Sequence, residues 1–75
     1  MTRFLRYSLE NQKKIRAVLT DEQGIISYIH LTVTELNDSS FTYVASKHKN
    51  GKTLPLSMLL SADYARGDNG EGKAV

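Results

Sequence analysis

Two basic clusters are the residues best suited to chemistry. Arg3, Arg6, Lys13, Lys14 and Arg16 open the chain, and Lys47, Lys49 and Lys52 surround His48. Brought to one face, these cations can neutralise phosphates, and such binding weakens as salt rises because counterion release drives it. Tyr43 lies beside the second cluster and offers a flat ring on which a base can stack, as do Phe41, Tyr28 and Tyr64. The set read as a nucleic-acid or anion site is therefore Arg3, Arg6, Lys13, Lys14, Arg16, Tyr43, Lys47, Lys49 and Lys52. The plainer reading is that the lysines solvate a hairpin and keep its edge from pairing, while the tyrosines pack a rim.

No other residue type forms a reactive constellation. His30 and His48 are at no metal-ligand spacing from each other or from a helical glutamate, and the chain has no cysteine. Ser46 and Ser57 lack the flanking pattern of a nucleophile elbow, and Asp21, Glu22, Glu35 and Asp38 fall in turns or at strand ends. The expectation is a protein that is not an enzyme, with no cofactor and no metal. Arg66-Gly67-Asp68 resembles an integrin-binding tripeptide, a sequence that recurs by chance in polar tails. Gly67, Gly70 and Gly72 follow no apolar strand and open no helix, so they do not form a phosphate-cradling loop.

Positioning these side chains falls to a small scaffold. Seventy-five residues, 40% of them apolar, describe one domain. A chain of this size hides only about 60% of its unfolded surface, which leaves little room for a deep catalytic cleft. No run approaches the roughly 18 apolar residues of a membrane span, and the charged N-terminus does not read as a signal peptide. The expected setting is cytoplasmic, with no membrane partner. Charge is uneven: residues 1–20 carry a net +4, residues 21–45 a net −4 and residues 46–56 a net +3, within an overall +2. So small an excess permits an anionic partner without requiring one.

The hydrophobic period changes along the chain. Met1, Phe4, Leu5 and Leu9 recur at helical spacing behind Thr2, a plausible N-cap, which predicts a helix over 2–11. From Lys14 the period becomes two, giving a strand over 14–19, a turn at Asp21-Glu22-Gln23-Gly24 and a long strand over 25–35. Asn37-Asp38-Ser39-Ser40 makes a second turn before a strand over 41–48. Asn50-Gly51 is the strongest hairpin signal and should lead into a strand over 52–56, where Pro55 requires an edge or a bulge. One helical turn from Ser57 and a strand over 61–65 complete a domain over 1–65, and the glycine-rich remainder, 66–75, is expected to be a disordered tail.

This order predicts a mainly β fold with one N-terminal helix, closing as a five-stranded antiparallel barrel of Sm-like or SH3-like type. Its expected interior holds Leu5, Leu9, Ile15, Ala17, Leu19, Ile29, Leu31, Val33, Val44, Leu54, Leu56 and Leu59. Period two places Phe41 and Tyr43 on one face of the third strand and Val44 on the other, without saying which face is buried.

Phe41-Thr42-Tyr43-Val44-Ala45, Asn50-Gly51-Lys52 and Leu54-Pro55-Leu56-Ser57-Met58-Leu59 resemble the core of WYL domains. With the preceding helix and strand, the likeness covers roughly residues 5–64. Thr42 stands where that family has Trp, and Pro55 and Met58 stand where it tends to use Arg. The resemblance implies an Sm-like barrel that senses nucleic acid or nucleotide-like ligands and controls attached domains. The stretch from Leu56 to Asp68 is also similar to small proteins carried on bacterial mobile elements. Two functions of different class follow. The first is a non-catalytic regulatory or accessory module that binds nucleic acid or an anionic nucleotide-like ligand. The second is a protein-interaction or homo-oligomerisation module without nucleic-acid binding.

Overall fold

The computed structural model describes residues 2–68 and 70. Helix α1 (Thr2–Asn11) precedes strands β1 (Ile15–Thr20), β2 (Ile26–Leu36), β3 (Ser40–Ala45) and β4 (His48–Pro55). A single 3-10 turn, Leu56–Met58, then leads into β5 (Leu59–Tyr64). Every neighbouring strand pair is antiparallel, in the order β4-β3-β2-β1-β5. The mainly β class with an N-terminal helix is therefore present. No helix among the described residues is long and apolar enough to cross a membrane.

The expected closure into a barrel is not made. β4 pairs with β3 and β5 pairs with β1, so these two strands are the edges of an open sheet. At the end of β4, Pro55 has no N–H to give, and the Leu56 N–H donates to the Ser39 carbonyl at 2.9 Å. The chain thus leaves β4 tied to the β2–β3 turn and crosses to the far side of the sheet before β5 begins. Irregular register between Val33 and Glu35, where β2 meets β3, marks a bulge, a feature that bends a strand and increases its twist.

Both turns built on Asx side chains form as expected. Asp21 Oδ1 accepts the N–H groups of Gln23 at 2.8 Å and Ile25 at 3.0 Å, and Gly24 takes φ +80°. Asn37 Oδ1 accepts those of Ser39 and Ser40 at 2.9 and 2.8 Å.

The third hairpin differs. Its turn is Ser46-Lys47, β3 stops at Ala45, and β4 already starts at His48. Neither turn residue has a positive φ. Gly51 does, at +91°, but inside β4, where the register shifts between Tyr43 and Ala45 of its partner strand. The left-handed freedom of Asn50-Gly51 is therefore used by a bulge rather than by the turn. Pro55 lies on an edge strand, as its missing N–H requires.

The core comprises Leu5, Ile15, Ala17, Leu19, Leu31, Val33, Phe41, Tyr43 and Leu59. On β3 the inward face is that of Phe41 and Tyr43, and Val44, expected inside, is only half-buried. Two large rings remove more apolar area from water than one isopropyl group, which favours that choice of face. Leu9, Ile29, Leu54 and Leu56 pack around the core without being enclosed by it. The Tyr7 hydroxyl reaches both carboxylate oxygens of Asp68, at 2.7 and 2.9 Å, and Asp68 also accepts the Gly70 N–H at 2.9 Å. The rest of the expected tail, residue 69 and residues 71–75, lies outside the described residues.

Candidate nucleic-acid interface

β1 pairs with β2 from Ile26 to Leu31, whereas β3 pairs with β2 only from Thr32 onward. The first half of β2 therefore has no β3 partner, and the chain reverses at Ser46-Lys47 instead of continuing along it. Between that bare half of β2 and the β3–β4 hairpin lies an open cleft of about 860 Å³. Lys14 borders it beside β1, and Lys47, Lys49 and Lys52 border it from the hairpin and β4. Cations separated by more than thirty positions in the sequence thus share one concavity.

Among the described residues, Asp21 is the only carboxylate on the cleft lining. Its Oδ1 accepts two N–H groups of its own turn, which fixes the carboxylate in the loop, and its charge leaves the four lysines a net +3 across the lining. Tyr28 and His30 contribute from β2 and His48 from β4. Tyr28 is 79% exposed, which leaves its ring open for stacking.

Tyr43 lines the cleft from beneath but cannot serve as a free stacking platform, since only 2% of its surface is exposed. Its ring stacks on Phe41 at 5.8 Å and meets His48 edge-on at 6.1 Å. Burial pushes the Tyr43 phenol pKa upward, which keeps the hydroxyl protonated.

The other four basic candidates are not in the cleft. Arg3 lies over the ring of Phe4, 4.8 Å from its centroid. Arg6 borders a separate shallow depression with Glu10 and Asp38. Lys13 is half-buried after α1 and acts electrostatically on Asp68. Arg16 is committed to β5, with Nε donating to the Tyr64 carbonyl at 2.8 Å and Nη2 pairing with Asp63 at 3.2 Å. The structure therefore gathers Lys14, Lys47, Lys49 and Lys52 and leaves Arg3, Arg6, Lys13 and Arg16 elsewhere.

His30 and His48 join the cleft without having been candidates. The available signal was the alternation that puts Tyr28, His30 and Thr32 on one face of β2. Among the described residues no group of three His, Cys, Asp or Glu side chains is placed to hold a metal ion. No family model, no curated protein and no solved structure matches the chain.

Proposed function

We propose that this protein is a non-catalytic, cytoplasmic module that binds nucleic acid or an anionic nucleotide-like ligand, in a regulatory or accessory role. The observation that carries the reading is the convergence of Lys14, Lys47, Lys49 and Lys52 on one cleft where, among the described residues, they outnumber the carboxylates four to one. Four ammonium groups around a concavity attract a phosphate chain, and exposed Tyr28 adds a ring for an unpaired base. Single strands are favoured over duplex, because only an unpaired base can present its face to such a ring.

An N-terminal helix ahead of an antiparallel sheet ordered β4-β3-β2-β1-β5 supports an Sm-like or SH3-like ancestry with the sheet left open. It also agrees with the WYL-like reading of residues 5–64. Origin on a bacterial mobile element rests on the likeness of the C-terminal stretch.

Fluorescence anisotropy with labelled single-stranded and double-stranded oligonucleotides tests the proposal, with a labelled dinucleotide as the third arm. Single-strand binding should weaken as salt rises, with a slope of log K against log salt near −3 if all four lysines meet phosphates, at about −0.7 each. Replacing Lys47 and Lys49 by Gln should lower affinity, and replacing Arg3 and Arg6 by Gln should leave it nearly unchanged. Absence of binding in every arm at low ionic strength, or a greater loss from the Arg3 and Arg6 pair, overturns the proposal.

A further inference from the structure

The lysine cleft is not uniform along its length. Thr20 pairs with Ile26 and Val18 with Tyr28, so the β1–β2 turn that carries Asp21 lies beyond the Ile26 end of β2. Ile15 pairs with Leu31, which puts Lys14 near the level of Thr32, and Lys52 pairs with Tyr43, itself the partner of Val33. Lys47 and Lys49 flank His48, which pairs with Ala45, the residue after the Thr32 partner Val44. At a rise of about 3.3 Å per residue, Tyr28 stands about 7 Å along β2 from the Ile26 level and about 13 Å from that of Thr32. The cations thus gather toward one end, Asp21 marks the other, and the exposed Tyr28 ring lies between them.

Asp21 has one carboxylate oxygen to spare. Oδ1 accepts the N–H groups of Gln23 and Ile25, which fills the two lone pairs of that oxygen. Oδ2 has no hydrogen-bond or ion-pair partner among the described residues. Pinning Oδ1 to the turn fixes the place of Oδ2, so the cleft holds a positioned acceptor at the end away from its lysines. Such an acceptor repels a phosphate and attracts a hydrogen-bond donor.

We propose that Asp21 determines base specificity, its Oδ2 accepting a hydrogen bond from the exocyclic amine of a base stacked on Tyr28 while the lysines hold the phosphates. The inference rests on the nucleic-acid reading and names which single strands that cleft selects: those rich in cytosine or adenine over those rich in thymine or uracil. A base whose backbone lies at the lysine end turns its Watson–Crick edge, the edge away from the sugar, toward Asp21. Cytosine and adenine carry there an amino group that donates to a carboxylate, whereas thymine and uracil carry the O4 carbonyl, which a carboxylate repels. The one donor that thymine has on that edge, N3–H, stands between two carbonyls.

Fluorescence anisotropy of the full chain with labelled oligo(dC) and oligo(dT) of equal length, at one pH and one low salt concentration, tests this. The unsubstituted chain should bind oligo(dC) about threefold to tenfold more tightly, the effect of one hydrogen bond to a charged acceptor. Asp21→Asn separates the roles of the two oxygens. Asn37 builds the same kind of turn through its own Oδ1, so this substitution keeps the turn and puts an Nδ2 donor where Oδ2 stood. Both oligomers should then bind more tightly, since one negative charge is gone, and the preference for oligo(dC) should vanish or reverse. Asp21→Ser, with a hydroxyl that still closes such a turn but reaches less far, should bind the two oligomers alike. Circular dichroism establishes that each variant is folded. Equal binding of both oligomers by the unsubstituted chain overturns the inference and leaves the anion reading standing. A preference that Asp21→Asn does not change does the same, because Asp21 then acts by charge alone. Absence of binding to either oligomer overturns both.

Discussion

The hydroxyl of Ser8, midway along α1, accepts the backbone N–H of Val33 in β2 at 2.9 Å and donates to the Lys13 carbonyl at 2.6 Å. β1 pairs no residue of β2 beyond Leu31, so at Val33 the helix supplies the acceptor that a neighbouring strand otherwise would. The same residue closes the helix. The Lys13 N–H returns to the Ser8 carbonyl at 3.2 Å around Gln12, whose φ is +54°. This is the Schellman arrangement, with glutamine at the left-handed position where glycine is usual.

Ser8→Ala should therefore destabilise the fold more than its size suggests. Ser8 is fully buried, so the substitution leaves the Val33 N–H without an acceptor and the Lys13 carbonyl without that donor. A buried unsatisfied group of this kind costs about 1–3 kcal/mol. Urea unfolding monitored by far-ultraviolet circular dichroism measures it, and a loss below about 0.5 kcal/mol would show that water or local rearrangement replaces the hydroxyl.

Gly51→Ala isolates backbone strain from packing. A Cβ at this position meets Thr42 Cγ2 at 3.6 Å, an ordinary contact, so space is not the obstacle. The obstacle is φ +91°, a conformation that costs an L-residue about 1–2 kcal/mol. The variant should lose that much stability while keeping the Ser46-Lys47 turn, visible as retained cross-strand contacts between Ala45 and His48 in its nuclear Overhauser spectrum.

Local rules reached α1, the first two strands and both Asx turns, because each depends on residues within a few positions of one another. They also placed Pro55 on an edge. They failed where two local solutions competed: Asn50-Gly51 suits a turn and a bulge equally well, and the pairing of β3 with β4 decided between them. Ser8 was hidden because a serine on the apolar side of a helix reads as neutral until the strand that needs its oxygen is known. The cleft was half legible. Both basic clusters could be seen, but only the ladder from β1 through β2 to β3 shows that Lys14 joins Lys47, Lys49 and Lys52 while Arg16 faces β5.

Asp68 should contribute to the response of the fold to acid. The Gly70 N–H and then the Tyr7 hydroxyl hold its carboxyl pKa below the usual aspartate range, with nearby Lys13 helping and partial desolvation opposing. A depressed folded-state pKa contributes stability above the unfolded value of about 3.9, and the contribution is lost as pH falls through the folded value. Tyr7→Phe keeps the edge-on contact with Tyr64 but removes the hydroxyl, so the Asp68 pKa should rise toward the ordinary range. Side-chain carboxyl titration by nuclear magnetic resonance between pH 2 and 6 should show the shift, and stability should fall less steeply with acid in the variant. An Asp68 titration identical in both proteins would show that the hydroxyl contributes nothing to the carboxylate.

Tyr28 and Lys49 should fail in distinguishable ways if the cleft holds a single strand. Lys49→Gln removes a charge, so the salt slope should become shallower by about 0.7. Tyr28→Ala removes a ring with 79% of its surface exposed, so folding should be nearly unaffected while single-strand affinity falls by about 1–3 kcal/mol and the slope stays the same. Duplex binding should respond to Lys49→Gln and not to Tyr28→Ala, since paired bases do not offer their faces to the ring. Titrations at three salt concentrations for each variant separate the effects. If Tyr28→Ala changes the slope, or weakens duplex and single strand equally, the ring is not stacking on a base, and the lysines alone must account for whatever affinity the cleft has.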